Sequence, residues 1–82
     1  MWAYHWGAFA RERCAELCVD NEKIQAALAL RIAGQAYSTH GAKGRLRTTI
    51  SLGKGYRYEV EFAITEPNLV YIQRVDPETE SP

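Results

Sequence analysis

Eighty-two residues with 46% hydrophobic and 24% charged side chains and a formal net charge of zero make one small globular domain, too short for a deep internal pocket. No run approaches the ~20 apolar residues needed to cross a bilayer. The opening "MWAYHWGAFARERC" lacks a basic segment followed by a continuous apolar one, so cytoplasmic residence without a membrane is expected.

In chain order, residues 2–18 read as a first helix: Trp2, Trp6, Phe9, Arg13 and Leu17 recur at three- and four-residue steps. Gly7 weakens its first turn, so its proper start falls near Ala8. Cys14 and Cys18 are the only cysteines and share one helical face. His5 and His40 could complete a zinc set only at spacings that match no usual motif, so no metal or other cofactor is expected. The pair reads instead as two small buried apolar residues.

Asp20 or Asn21 caps a second helix, "NEKIQAALALRIAGQA", with Gly34 at its end. Ile24, Ala27, Leu28, Arg31 and Ile32 form one stripe; Ala26, Ala29, Leu30 and Ala33 form another. A helix apolar on two sides is expected to be sandwiched. "YSTHGAKG" then reads as a loop whose G-x-x-G spacing suits a flexible connector.

Three strands follow, 45–52, 56–65 and 69–75. A three-residue Gly53-Lys54-Gly55 loop pairs Leu52 with Tyr56, Ile50 with Tyr58, Thr48 with Val60 and Leu46 with Phe62 on the core side. The other side pairs Ser51 with Arg57, Thr49 with Glu59 and Arg47 with Glu61. At "TEPNL" a three-residue loop turns Val70, Ile72 and Arg74 inward, whereas a two- or four-residue loop turns Leu69, Tyr71 and Gln73 inward; β-branched Val70 and Ile72 favour the first. The expected fold is α+β, two N-terminal helices packed on one face of a three-stranded antiparallel β-meander. Residues 1–75 form that single domain, and 76–82 form a disordered acidic tail.

The neutral total hides a division. Residues 43–58 carry Lys43, Arg45, Arg47, Lys54 and Arg57 with no acid, while 59–82 carry Arg74 against six acids. An open sheet face bearing arginines suits phosphate oxygens, and an exposed Tyr71 suits a nucleobase. His40, beside the basic strand, is the better-placed histidine for proton transfer.

The closing strand "LVYIQRVDP", through Val70, Tyr71, Ile72, Arg74 and Val75, resembles the V-Y-I-L-R-V strand of the RelE/ParE-like toxin superfamily, within the barnase–EndoU–RelE ribonuclease fold. "ELCVDNEKIQAAL" is similar to the "xRGISxEEIxxAL" junction of related toxin-like domains, with Cys18 where Gly usually stands and Val19 in the Ile position. The resemblance covers residues 4–76. It implies metal-independent cleavage of RNA, free or on the ribosome, by attack of the 2′-hydroxyl on the adjacent phosphate. Its implied catalytic set is Arg45, Arg47, Arg57 and Arg74, with Glu59, Glu61 and His40 as proton carriers; Lys43, Lys54 and Tyr71 would bind the nucleic acid. Three departures stand out, the first being that such toxins are strongly basic overall whereas this chain is balanced. "DPETESP" occupies the place of a terminal catalytic Tyr or His, and Phe9 occupies that of a helix-borne His.

The competing expectation is a non-catalytic protein-interaction module, an inhibitor, antitoxin or subunit. It would use the sheet face, a strand edge or the aromatic N-terminus against a protein partner or a second copy.

Overall fold

The computed structural model describes residues 2–39, 45–53 and 55–78. The chain begins with a strand, β1 (Ala3–Trp6), followed by helices α1 (Ala8–Glu16) and α2 (Asn21–Ala33). Four more strands follow: β2 (Ser38–Thr39), β3 (Leu46–Ser51), β4 (Arg57–Glu66) and β5 (Leu69–Pro77). They form one mixed five-stranded sheet in the order β1-β5-β4-β3-β2. The three-stranded meander with both helices preceding every strand is therefore corrected.

The reason lies in the first six residues. Trp2, Trp6 and Phe9 satisfy a helical step, but Tyr4 and Trp6 also alternate with Ala3 and His5, and the alternation prevails. β1 pairs in parallel with β5, Tyr4 opposite Val70 and Trp6 opposite Ile72, which tucks both aromatics against the core. Trp6 also donates its indole N–H to Gln25 Oε1 of α2 at 2.9 Å. In the expected loop, Ser38 and Thr39 add a short antiparallel strand against Arg47 and Leu46. The Thr48 hydroxyl fastens the approach to it by donating to the Ala36 carbonyl at 2.6 Å.

Between β3 and β4 the register is the one that hydrophobic phase and turn length dictate, from Leu46 opposite Phe62 to Ser51 opposite Arg57. Leu52 N–H reaches Tyr56 O at 2.9 Å, and Gly53 and Gly55 take positive φ of 135° and 76°, which closes the loop without side-chain strain. The β4–β5 turn follows neither simple alternative. Glu66 pairs with Leu69 around the two-residue tip Pro67-Asn68, and a register shift between Ile64 and Glu66 restores the phase. Val70 and Ile72 thus face inward as expected. A second shift then skips Gln73, so Arg74 lies opposite Glu61 on the open face and Val75 enters the core instead.

Helix packing also differs in detail. α1 buries only Ala10 and Cys14, leaving Phe9 and Cys18 exposed, so Cys18 is not the buried partner of Cys14. α2 buries Ile24, Leu28 and Ile32, while Leu30 is 77% exposed. Its second apolar stripe faces outward and the helix is not sandwiched. Both helices contribute to one core with Ile50, Val60, Phe62, Val70, Ile72 and Val75, on one side of the sheet. The opposite side is open.

Each helix ends in a six-to-one closure. Val19 N–H donates to Cys14 O at 2.9 Å after α1, and Ala36 N–H to Arg31 O at 2.8 Å after α2. The left-handed residue in each closure is Cys18 (φ 58°) or Gln35 (φ 53°); Gly34 sits one position early, with φ −88°. Asp20 is the cap of α2, accepting from Glu22 N–H at 2.9 Å.

Candidate functional site on the open sheet face

Alternation along β3, β4 and β5 sends Arg47, Thr49, Glu59, Glu61, Tyr71, Arg74 and Asp76 to the uncovered side, and Arg45 joins them just before β3. Glu61 is the centre of this face. Its side chain is only 14% exposed, with Arg45 Nη1 and Arg47 Nη2 each 4.0 Å from its carboxylate. Arg47 also reaches Glu59 at 3.4 Å.

Beside Glu61 opens a depression of about 350 Å³ whose walls include Gly7, Phe9, Arg45, Tyr71, Gln73 and Arg74. Four of the sequence-predicted residues, Arg45, Glu61, Tyr71 and Arg74, thus come together. Gly7 is what lets the start of α1 close one wall. A Cβ there would stand 3.0 Å from Tyr71 Cε1 and 3.3 Å from the Ile72 carbonyl. Arg74 spreads over the Phe9 ring, 5.6 Å from its centroid, and its Nε donates to Asp76 Oδ2 at 3.1 Å. Arg13 meets the other oxygen of Asp76 at 3.3 Å and also bonds Glu16, and these two carboxylates push its guanidinium pKa further up.

Other predicted residues stand apart. Arg57 lies at the hairpin end, bound to Glu78 at 3.3 Å, and the second Glu78 oxygen accepts from the Thr49 hydroxyl at 3.2 Å. Glu59 is engaged with Arg47. His40, Lys43 and Lys54 lie outside the described residues. The sequence reading missed His5, which β1 delivers to Tyr71 with ring centroids 4.9 Å apart. The signal available was the short alternation of residues 3–6.

Charge on this face is more balanced than the segment totals suggest. Arg45, Arg47, Arg57 and Arg74 each lie within 4.0 Å of a carboxylate. The pairs of Arg47 with Glu59, Arg57 with Glu78 and Arg74 with Asp76 are partly exposed and worth ~1 kcal/mol or less each, so a phosphate offering better geometry can compete for those guanidinium groups. Among the described residues no group of three His, Cys, Asp or Glu side chains is arranged to hold a metal ion. Nor is any helix among them long and apolar enough to cross a membrane.

No family model, curated protein or solved structure matches the chain.

Proposed function

We propose that the open sheet face binds single-stranded RNA and cleaves it without a metal, with Glu61 as the proton acceptor. The observation that carries this reading is Glu61 itself, a carboxylate largely withdrawn from solvent and flanked at 4.0 Å by two guanidinium groups at the rim of a depression. Glu61 takes the proton from a 2′-hydroxyl as its oxygen attacks the neighbouring phosphorus. The P–O5′ bond breaks, leaving a 2′,3′-cyclic phosphate, and the leaving 5′-oxygen gains a proton from water or the Tyr71 hydroxyl. Arg45 and Arg47 neutralise the charge that accumulates on the phosphate oxygens. The resemblance to RelE/ParE-like toxins agrees with this chemistry, and the reading includes a cytoplasmic location, where thiols such as Cys14 and Cys18 stay reduced. A ribosome-bound message and an inhibitory protein partner belong to the same reading.

The test is cleavage of a labelled RNA together with gel retardation across a salt series. Wild type binds with a steep salt slope and cuts. Glu61→Gln retains binding but loses cutting, and Arg45→Ala/Arg47→Ala binds more weakly, with the slope flattened by about two units, and loses cutting. Undiminished cutting by both variants would sink the proposal.

A second reading, a protein-binding module, rests on one observation: the arginines of this face are matched by carboxylates, as in a surface without a polyanionic ligand. β2 also pairs with β3 only at Arg47 and Leu46, so the far end of β3, toward Ser51, is where an added strand would pair. No RNA retardation at low salt, with capture of a second polypeptide or a second copy by light scattering, selects this reading.

A further inference from the structure

We infer that the depression beside Glu61 is a nucleobase subsite, holding one unstacked base of the RNA strand between Tyr71 and the Arg74–Phe9 pair. This inference rests on the RNA reading and names what the depression adds to it. The walls carry planar groups that stay partly open to solvent. Phe9 is 57% exposed on a helix whose buried residues are Ala10 and Cys14, and Tyr71 is 36% exposed on the solvent side of β5. Arg74 is already spread on the Phe9 ring, so its guanidinium offers a second flat surface. Aromatic rings and guanidinium planes are the surfaces on which proteins stack splayed single-strand bases.

The floor and rim supply hydrogen bonding. Gln73, the residue skipped by the β4–β5 register, lines the same depression, and its amide has no hydrogen-bond partner among the described residues. An extra residue inserted into a strand re-aims side chains, and here it also carries Arg74 to the open face beside Glu61. The bulge therefore accounts for two walls of the depression at once. An amide offers one donor and one acceptor side by side, a match for the donor–acceptor edge of a base and best for adenine. Arg45 also lines the depression, 4.0 Å from Glu61, so the phosphate attached to a base held there would meet both.

The experiment compares a ten-nucleotide single-stranded oligoadenylate with the same strand carrying abasic residues, both made uncleavable by 2′-methoxy groups. Wild type binds the intact strand roughly tenfold more tightly than the abasic strand. Phe9→Ala and Tyr71→Ala lose that preference, binding both strands as wild type binds the abasic one. Tyr71→Phe, which keeps the ring, retains it, and Gln73→Ala narrows the difference between oligoadenylate and oligouridylate. Circular dichroism melts confirm that the variants fold. Equal affinity of wild type for intact and abasic strands, or an unchanged preference in Phe9→Ala and Tyr71→Ala, overturns the base subsite while leaving the phosphate reading intact. No binding of either strand at low salt overturns both.

Discussion

His5 packs on Tyr71 across the β1–β5 pair, ring centroids 4.9 Å apart and planes tilted by 59°. The contact exists only because β1 runs parallel to β5, which places His5 opposite Tyr71 on the open face. It fixes one wall of the depression from outside. An aromatic pair of this geometry contributes about 0.5–1.5 kcal/mol, and solvent exposure of both rings places this one at the low end. His5→Ala is expected to lower the melting temperature by a few degrees and to weaken RNA binding several-fold through loss of Tyr71 positioning. His5→Phe should restore both. A melt and a titration identical to wild type for His5→Ala would mean the contact positions nothing.

Cys18 and Gln35 hold the left-handed positions that close α1 and α2, with φ of 58° and 53°. A side chain with a Cβ costs about 1 kcal/mol there, and glycine removes that cost. Both residues are exposed, so little packing is lost on substitution. Cys18→Gly and Gln35→Gly should each stabilise the protein by about 1 kcal/mol, partly offset by the greater freedom of glycine in the unfolded chain. Denaturant titrations of the two variants and the double variant check this. Additive gains are expected because the sites close different helices.

These closures also mark how far the sequence could be read. The Leu46–Ser51 and Arg57–Phe62 pairing was legible because a fixed loop length and a strict alternation agreed with each other. The second helix and its cap, expected at Asp20 or Asn21 and found at Asp20, were legible for similar reasons, each resting on local chemistry. β1 was not, because four residues satisfy a helical and an extended pattern equally, and only the distant Leu69–Ile72 segment decides between them. Nor was the skipped Gln73 legible: nothing local to "YIQRV" announces an extra residue. The depression depends on both illegible features, on β1 for His5 and Gly7 and on the skip for Gln73 and Arg74. Glu61 and its two arginines, by contrast, follow from the legible hairpin.

Arg57 separates the site from the rest of the basic segment. It sits at the hairpin end, engaged with Glu78, and Tyr58 lies opposite Pro77 at the close of β5. Arg57→Ala is expected to change RNA affinity by no more than about twofold and to leave the salt slope unaltered, because on the proposed reading the phosphate sits at Glu61, away from the hairpin end. Its cost in stability should stay below ~1 kcal/mol, as for an exposed ion pair. Arg45→Ala, measured in the same series, should lower the slope by about one unit. Equal losses from the two substitutions would place the binding surface across the whole face rather than at the depression.

Tyr4 points its ring into the core from β1, and its hydroxyl is sealed from solvent with no hydrogen-bond partner among the described residues. Burial raises its pKa above the ordinary 10.0, as it raises that of the Cys14 thiol above 9.0. Both acids hold their protons more tightly folded than unfolded. Their contribution is therefore fully present below pH 9 and is lost as the pH rises through the unfolded values toward the folded ones. Tyr4→Phe keeps the ring and removes the unsatisfied hydroxyl, so it should stabilise the protein by about 1 kcal/mol at pH 7. It should also make the alkaline decline shallower, leaving only the part due to Cys14 among these two groups. Melting temperatures from pH 7 to 11 test both statements. A Tyr4→Phe protein less stable than wild type at pH 7 would show that the hydroxyl is hydrogen-bonded in solution.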